Sequence, residues 1–561
     1  MKTLLQTFFV CIIIIVSNGL SAQNITIHAD EYKHQFEGAG VSIGLYMGHH
    51  FSMNTNNQDK AIRLINQDLN MKYLQAYIDP SHYIGDQSKR QQYFDRRANY
   101  IKSAKQYRED IQFSLAGNIF PDDLRKDFLA NNGNTYRILN TDDPEIYDKL
   151  AAWYFEIFQE FYDRGVEVDV FNVINEPDLP DCGANKCRRY LYGFDDDTRR
   201  GASLIFTEAV PKFKAMLADP NINTSNMKMP LIMGPSSFSP EGCLNYIRYF
   251  KNNYPEAWDQ IDIVATHQYT KGGRVDLFQQ IIGELDGRAF HQSENHASKS
   301  DPYPVSDGHK AALSLSRLIG TAVNNGVEAW YYFQNVYPQE FTLGGLVRVK
   351  WASDNPIPYK QYYSFKQITS SQPANSHVMG YEASGATDAE VLVFRKQGED
   401  TVYLHYTNFT PSKKKVTFSV QEGSENRTIS SLDLTMTDES ENNVISLTQS
   451  DMDVTEASLE VEPYSINTIK IGMASVITSL DSQVNAEDVT FSLGTNNHIQ
   501  VNSRKSKIQQ IDIYSMQGKL IESTRNVDAF ETSLPKLSTG DVYIVQVYTG
   551  NRVTIRKFLL N

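Results

Sequence analysis

Between about residue 36 and residue 371 the chain alternates short apolar runs with amphipathic stretches eight times, and few folds accept that rhythm. The apolar runs Glu37–Leu45, Lys72–Ile78, Ile111–Ala116, Val168–Ile174, Pro230–Pro235, Ile261–His267, Arg288–Ser293 and Glu328–Gln334 read as strands. Helical periodicity follows each of them. In the third helix Ile146, Leu150, Trp153, Ile157 and Phe161 recur on one face. The seventh runs from Ser306 to Asn325, opening on Ser-Asp and stopping before Gly326, as a capped helix does. Eight β-then-α units in succession predict an α/β fold, a closed (β/α)8 barrel of the TIM type. A doubly wound open sheet is the competing arrangement. It would place a Gly-rich phosphate turn after the first strand, and Gly38-Ala-Gly-Val-Ser-Ile-Gly44 lacks the spacing.

Past Ser371 the helical period stops. A chain of 561 residues exceeds one core, and its ends divide accordingly. Residues 23–371 are assigned to the barrel. Residues 372–474 alternate apolar and polar positions, as in Glu390-Val-Leu-Val-Phe-Arg395, Thr401-Val-Tyr-Leu-His-Tyr406 and Lys415-Val-Thr-Phe-Ser-Val420, and predict a β-sandwich. The early segment Asn24–His28 is expected to add a strand to it. Residues 475–561 form a second, smaller all-β unit with runs at Ile508–Tyr514, Val542–Tyr548 and Arg552–Leu560.

The N-terminus carries Lys2, an apolar run from Phe8 to Val16 and a small-residue exit at Leu20-Ser21-Ala22. That is the pattern of a secretory signal peptide over residues 1–22, and the run is too short to cross a bilayer. No later segment is apolar enough to span, so the protein is expected to be secreted or at the cell surface, without a stable membrane span. In an oxidising compartment Cys182 and Cys187 can close a small disulfide loop, which leaves Cys243 as a buried small hydrophobe. The formal net charge of −14 argues against nucleic-acid binding, which needs a basic surface. It also disfavours polyanionic ligands unless a local cation overrides the mean field.

In a barrel of this type chemistry sits at the C-terminal strand ends. Strand four ends in Asn175-Glu176-Pro177, strand six in His267-Gln-Tyr269, strand seven in Glu294 and strand eight in Trp330-Tyr-Tyr-Phe-Gln334. Two carboxylates on one rim are the minimum equipment for glycoside hydrolysis. Glu176 is read as the acid/base and Glu294 as the nucleophile, with Asn175 donating to a sugar 2-hydroxyl and Tyr269 to Glu294. His267, Trp330, His49 and Asn118 complete the expected substrate contacts, so a polysaccharide or oligosaccharide is the expected partner. The pair His49-His50 lacks a third ligand at familiar spacing, and neither a metal nor any other cofactor is expected.

These rim residues resemble the clan A glycoside hydrolases, whose acid/base and nucleophile close strands four and seven. Over residues 30–473 the layout is most similar to glycoside hydrolase family 30, in which a sandwich follows the barrel, takes in N-terminal strands and ends much as Val461-Glu-Pro-Tyr-Ser-Ile-Asn-Thr-Ile469 does. The resemblance implies a secreted retaining enzyme acting on a β-glucan, xylan or galactan. Phe333 stands where that family often carries Trp, and the sugar and linkage stay open. An agarase- or porphyranase-like action on algal galactans, or a non-catalytic glycan-binding surface protein, are the alternatives. The last stretch, with Ile511-Asp-Ile-Tyr-Ser-Met-Gln-Gly-Lys-Leu520, Leu537-Ser-Thr-Gly540 and the ending Arg556-Lys-Phe-Leu-Leu560, resembles a type IX secretion sorting domain, which implies the type IX secretion machinery as a partner.

Overall fold

The computed structural model describes residues 22–44, 47–83, 85–129, 135–179, 198–269, 275–350, 355–370, 372, 376–385, 388–474, 489–493, 499–504, 506–515, 519–534, 542–549 and 552–559. The signal peptide and the Cys182–Cys187 loop lie outside them. Among the described residues no helix is long and apolar enough to cross a membrane. Two compact units divide the chain, Met1–Ala474 and Ser475–Asn561.

The first unit contains a closed barrel of eight parallel strands. They are Gly38–Ile43, Tyr73–Ile78, Gln112–Gly117, Val170–Asn172, Leu231–Ser237, Ile263–His267, Ala289–Asn295 and Ala329–Tyr332. Strand eight pairs with strand one in register Ala329↔Gly38 to Tyr332↔Val41, which closes the ring. A helix follows every strand, from Thr55–Asn66 after the first to Lys360–Thr369 after the eighth. Several begin on a side-chain cap that satisfies an otherwise orphaned backbone N–H. Asp86 accepts from Lys89 N–H at 3.0 Å, and Ser239 accepts from Gly242 N–H at 3.1 Å with Pro240 in the first turn. The apolar stripe of the third helix is buried as its periodicity predicts, Leu150 and Ile157 completely.

Period-two alternation sorts each strand between two cores. Inward residues Tyr73, Val170, Met233, Ile263, Ala265, Ala329 and Tyr331 fill the barrel floor. Outward residues, Trp330 and Tyr332 among them, join the helices in a much larger layer. Above the floor the interior turns polar, with Gln75, Ser114 and Asn172 buried on the inside of strands two to four.

The expected sandwich is a single ten-stranded sheet that curls over its own core. Its N-terminal strand, Ala22–Phe36, lies between Ser376–Ser384, which it meets antiparallel, and Lys414–Glu422, which it meets parallel. Ile25, Ile27, Val393, Leu404, Phe418 and Ile469 turn into the sheet's core. Phe36, Val378, Leu392 and Phe394 turn out and merge with the apolar layer around the barrel. The second unit is all β: a three-stranded sheet and a four-stranded sheet share a core of Val489, Ile499, Val501, Ile511, Ile513, Val545 and Val547.

One acidic residue is caught where the curled sheet meets the seventh barrel helix, Asp307–Asn324. A Cβ on Gly320 would lie 2.4 Å from Glu390 Cγ, so only glycine admits that side chain, and Asn324 Nδ2 donates to Glu390 Oε1 at 3.3 Å. Burial pushes the carboxyl up from 4.5 to about 7, against the smaller opposing effects of Asn324 and Arg317. The folded state therefore holds this proton longer than the unfolded chain, and stability falls as pH climbs from 4.5 through 7. Glu390→Gln should remove that loss. Denaturation midpoints of the variant should gain on the wild type steadily between pH 4 and pH 8. Parallel profiles would show that the carboxyl ionises equally in both states.

Candidate active site

Strand ends four to seven build one polar rim, and local backbone departures aim it. Glu176 follows strand four with φ 51°, a left-handed conformation that costs a non-glycine residue roughly 1–3 kcal/mol. Its N–H donates to the carbonyl of Ser236, itself at φ 48°, at 2.8 Å, and this lashes the loop after strand four to the end of strand five. Two residues on, Asp178 accepts from Phe238 N–H at 2.6 Å and sits where a Cβ on Gly242 would collide with it. Gly117 permits the same closeness on the other side, since a Cβ there would stand 2.3 Å from the Val173 carbonyl oxygen. The turn carrying Glu176 is fixed from both flanks.

Glu294 reaches the rim by a different device. Ala289 and His291 face inward on strand seven, so strict alternation would turn residue 294 outward. The pairing of strands six and seven slips between Gln292 and Glu294, and a register shift of this kind re-aims a side chain. Glu294 consequently joins the pocket and is only 6% exposed, like Glu176.

The hydrogen bonds then form a chain. Tyr269 donates to Glu294 Oε1 at 2.8 Å, and the hydroxyl of Tyr77, from strand two, donates to Oε2. Gln75 Nε2 donates in turn to the Tyr77 hydroxyl at 3.1 Å. Both phenols are raised well above their ordinary pKa, first by burial and then by the charge of Glu294, so they stay protonated as neutral donors. On the other side Glu176 Oε1 lies 3.0 Å from His267 Nδ1. Burial opposes a charge on His267. The charge of Glu294 and the hydrogen bond and charge of Glu176 outweigh it, so its pKa moves up from 6.5. When Glu176 is ionised, a proton on His267 Nδ1 is donated to it.

Ligand atoms of Glu176, His267 and Glu294 all lie within 4.8 Å of one another, the single such grouping of His, Cys, Asp and Glu side chains among the described residues. It has the size of a cation site. The oxygens of Glu294 already accept from two phenols, which hold that carboxylate without an ion. The arrangement can deliver a proton and a nucleophile to the same small volume.

The remaining expected residues divide. Asn118 lines the pocket with Tyr77, Glu294 and Phe333. Asn175 is fully buried beside Glu176. Trp330 must be corrected: it is fully buried on the outer face of strand eight, 5.7 Å from the ring of Phe365, and cannot meet a ligand. The expectation took strand position without parity, and Phe333 is the ring that reaches the pocket. His49 also falls outside the residues that line the pocket; it sits half-buried on the short helix Met47–Ser52. Tyr77 and Arg97 were missed. Tyr77 was within reach, because it shares the inward phase of Tyr73 and Gln75. Arg97 comes from the second barrel helix, where no strand-end search looks.

The fold and site define a TIM-barrel protein with two carboxyl groups paired at its rim. In fold it is similar to a family 30 endoxylanase from Clostridium papyrosolvens C71, at 17% identity and a TM-score of 0.60, over 80% of this chain and 100% of that one. The catalytic domain of the family 30 xylanase C from Talaromyces cellulolyticus gives 13% and 0.60 over 80% and 99%. An endo-β1,6-glucanase gives 14% and 0.58 over 80% and 94%. Residues 479–559 match a family model described as a domain of unknown function, DUF8694. No curated protein matches the sequence.

The charge of Glu294 is the largest of the effects that lift His267, so Glu294→Gln should lower the imidazole pKa. Nitrogen-15 chemical shifts of His267, followed over pH 5–9, report it directly. An unchanged midpoint would mean that Glu176 alone sets the proton.

Proposed function

We propose that this chain is a secreted retaining β-glycoside hydrolase of the family 30 kind, with Glu294 as nucleophile and Glu176 as acid/base. The observation that carries the reading is the approach of the two carboxyl groups, one oxygen of each lying within 4.8 Å of the other beside the pocket that Glu294 lines. Double displacement needs a separation of roughly 5–5.5 Å, whereas inversion needs room for a water between the groups. The choice of β-linked glycans as substrates is supported by the fold that this chain shares with xylanases and an endo-β1,6-glucanase.

In this reading a Glu294 oxygen attacks the anomeric carbon while Glu176 hands its proton to the departing glycosidic oxygen. The glycosyl-enzyme cancels the charge on Glu294, and the carboxylate now left on Glu176 accepts from His267 Nδ1. Glu176 then takes a proton from water, which attacks the same carbon, breaks its bond to Glu294, frees that carboxylate and restores the starting configuration. Tyr77 and Tyr269 hold Glu294 in line beforehand and, being uncharged, do not compete with an oxocarbenium-like centre.

Glu294→Ala should abolish turnover of β-glycans, and azide should restore it with inverted product. Glu176→Gln should slow natural substrates by about 10²–10⁴-fold, the usual worth of a positioned acid, and spare activated aryl glycosides. Proton NMR of fresh product should show the β-anomer first. Full activity in both variants, or an α-anomer from the wild type, would sink the assignment.

Residues 1–22 and 475–561 are proposed to serve export and sorting through a type IX pathway. In a bacterium with that machinery, deletion of residues 475–561 should strand an active enzyme in the periplasm. Unchanged export of the shortened chain would remove the sorting role.

A further inference from the structure

Three arginines among the described residues are nearly inaccessible, Arg97 at 5%, Arg395 at 4% and Arg427 at 7%. Two of them have carboxylate partners. Arg395 Nη1 is 3.4 Å from Glu422 Oε1, and Arg427 pairs with Glu422 and, at 3.0 Å, with Asp400. Arg97 has none within ion-pair range among the described residues. Its Nη1 donates to the Tyr93 carbonyl at 3.1 Å, its Cζ lies 3.4 Å from the centre of the Tyr93 ring, and its Nε has no hydrogen-bond partner. A buried charge left without a counter-ion is costly, and stacking on one ring offsets only part of that cost.

Its position gives the cation a purpose. Arg97 lines the pocket that holds Glu294, together with Gly44, Asp79 and Asn118. Asp79 adds opposite charge at longer range without pairing with Arg97, its Oδ1 accepting from Ser81 N–H at 3.1 Å and from the Ser81 hydroxyl at 2.5 Å. Gly44, at φ 130°, carries no side chain where a Cβ would stand 3.2 Å from Arg97 Nη2, so the approach to the guanidinium stays open. Asn118 Oδ1, buried and unpartnered, offers an acceptor for a hydroxyl on the same wall.

We propose that this pocket takes an acidic sugar, one whose ring bears a carboxylate or a sulfate ester, and that Arg97 binds the anion. A guanidinium suits either group, because its planar fork presents paired N–H donors. The chain's net charge of −14 makes a local cation necessary for such a ligand. The inference rests on the pocket being a sugar site, as proposed above.

The test compares the mature full-length protein on matched aryl β-glycosides: a glucuronide against a glucoside, and a galactoside 6-sulfate against a galactoside. At least one anionic substrate should exceed its neutral partner tenfold or more in kcat/KM. Arg97→Met should cut that ratio at least tenfold, and Arg97→Lys should cut it less. The arm that wins separates carboxylate from sulfate. Wild-type preference for the neutral sugars overturns the inference and leaves the hydrolase reading intact. So does an equal loss on both classes in Arg97→Met, which would make Arg97 a counter-charge for Glu294. If no glycoside is cleaved, the hydrolase reading falls, and calorimetric titration decides the inference. Arg97-dependent binding of glucuronate or galactose 6-sulfate over the neutral sugars supports it, and no such binding overturns it.

Discussion

The pairing of strand eight with strand one turns eight β-then-α units into a vessel, and two glycines permit it. Gly38 and Gly40 sit opposite Ala329 and Tyr331, and a Cβ on Gly40 would come within 2.7 Å of the Tyr331 ring and 2.9 Å of Tyr73. The absent side chain of Gly40 leaves room for two tyrosines on the barrel floor, and that of Gly38 leaves room for Lys72. Every rim residue takes its height and direction from that closed ring, because a side chain on one strand can meet a partner from the opposite wall only while the circumference is fixed.

Charge is handled sparingly within the rim. Glu294 is held by phenols instead of by a cation, and the positive group nearest the pair, His267, depends on the carboxylates for its proton. Each group's state is therefore conditional on its neighbours, which is how one site can alternate between donating and accepting a proton. Stored backbone strain at Glu176 is part of the same economy of parts: the left-handed turn is tolerated because Ser236, Gly117 and Asp178 leave it no alternative.

Much of this was legible in the amino-acid order. Eight apolar runs coincide with eight barrel strands because parallel strands buried on both faces read as continuous apolar segments. The strand-end search placed Glu176, Glu294, His267, Tyr269 and Asn118 on one rim, because the fold itself gathers such positions. It failed where direction mattered. Trp330 differs from Tyr331 by one residue and so faces the opposite layer. Glu294 reaches the rim only through a slipped register that no pattern of residues announces. Arg97 enters the pocket from a helix, and its lack of a counter-ion is a property of three dimensions.

The strand Ala22–Phe36 has a consequence for how the chain reaches its final state. Ile27 pairs with Tyr381 on one side and Val420 on the other, so this segment must wait for partners far along the chain. Long-range pairing of this kind is slow, because the loop between partners has to close before any contact repays it. A vectorially delivered polypeptide would keep its leading end unpaired throughout transit, and the curled sheet, with the barrel wall it covers, would lock only after residue 422 had arrived.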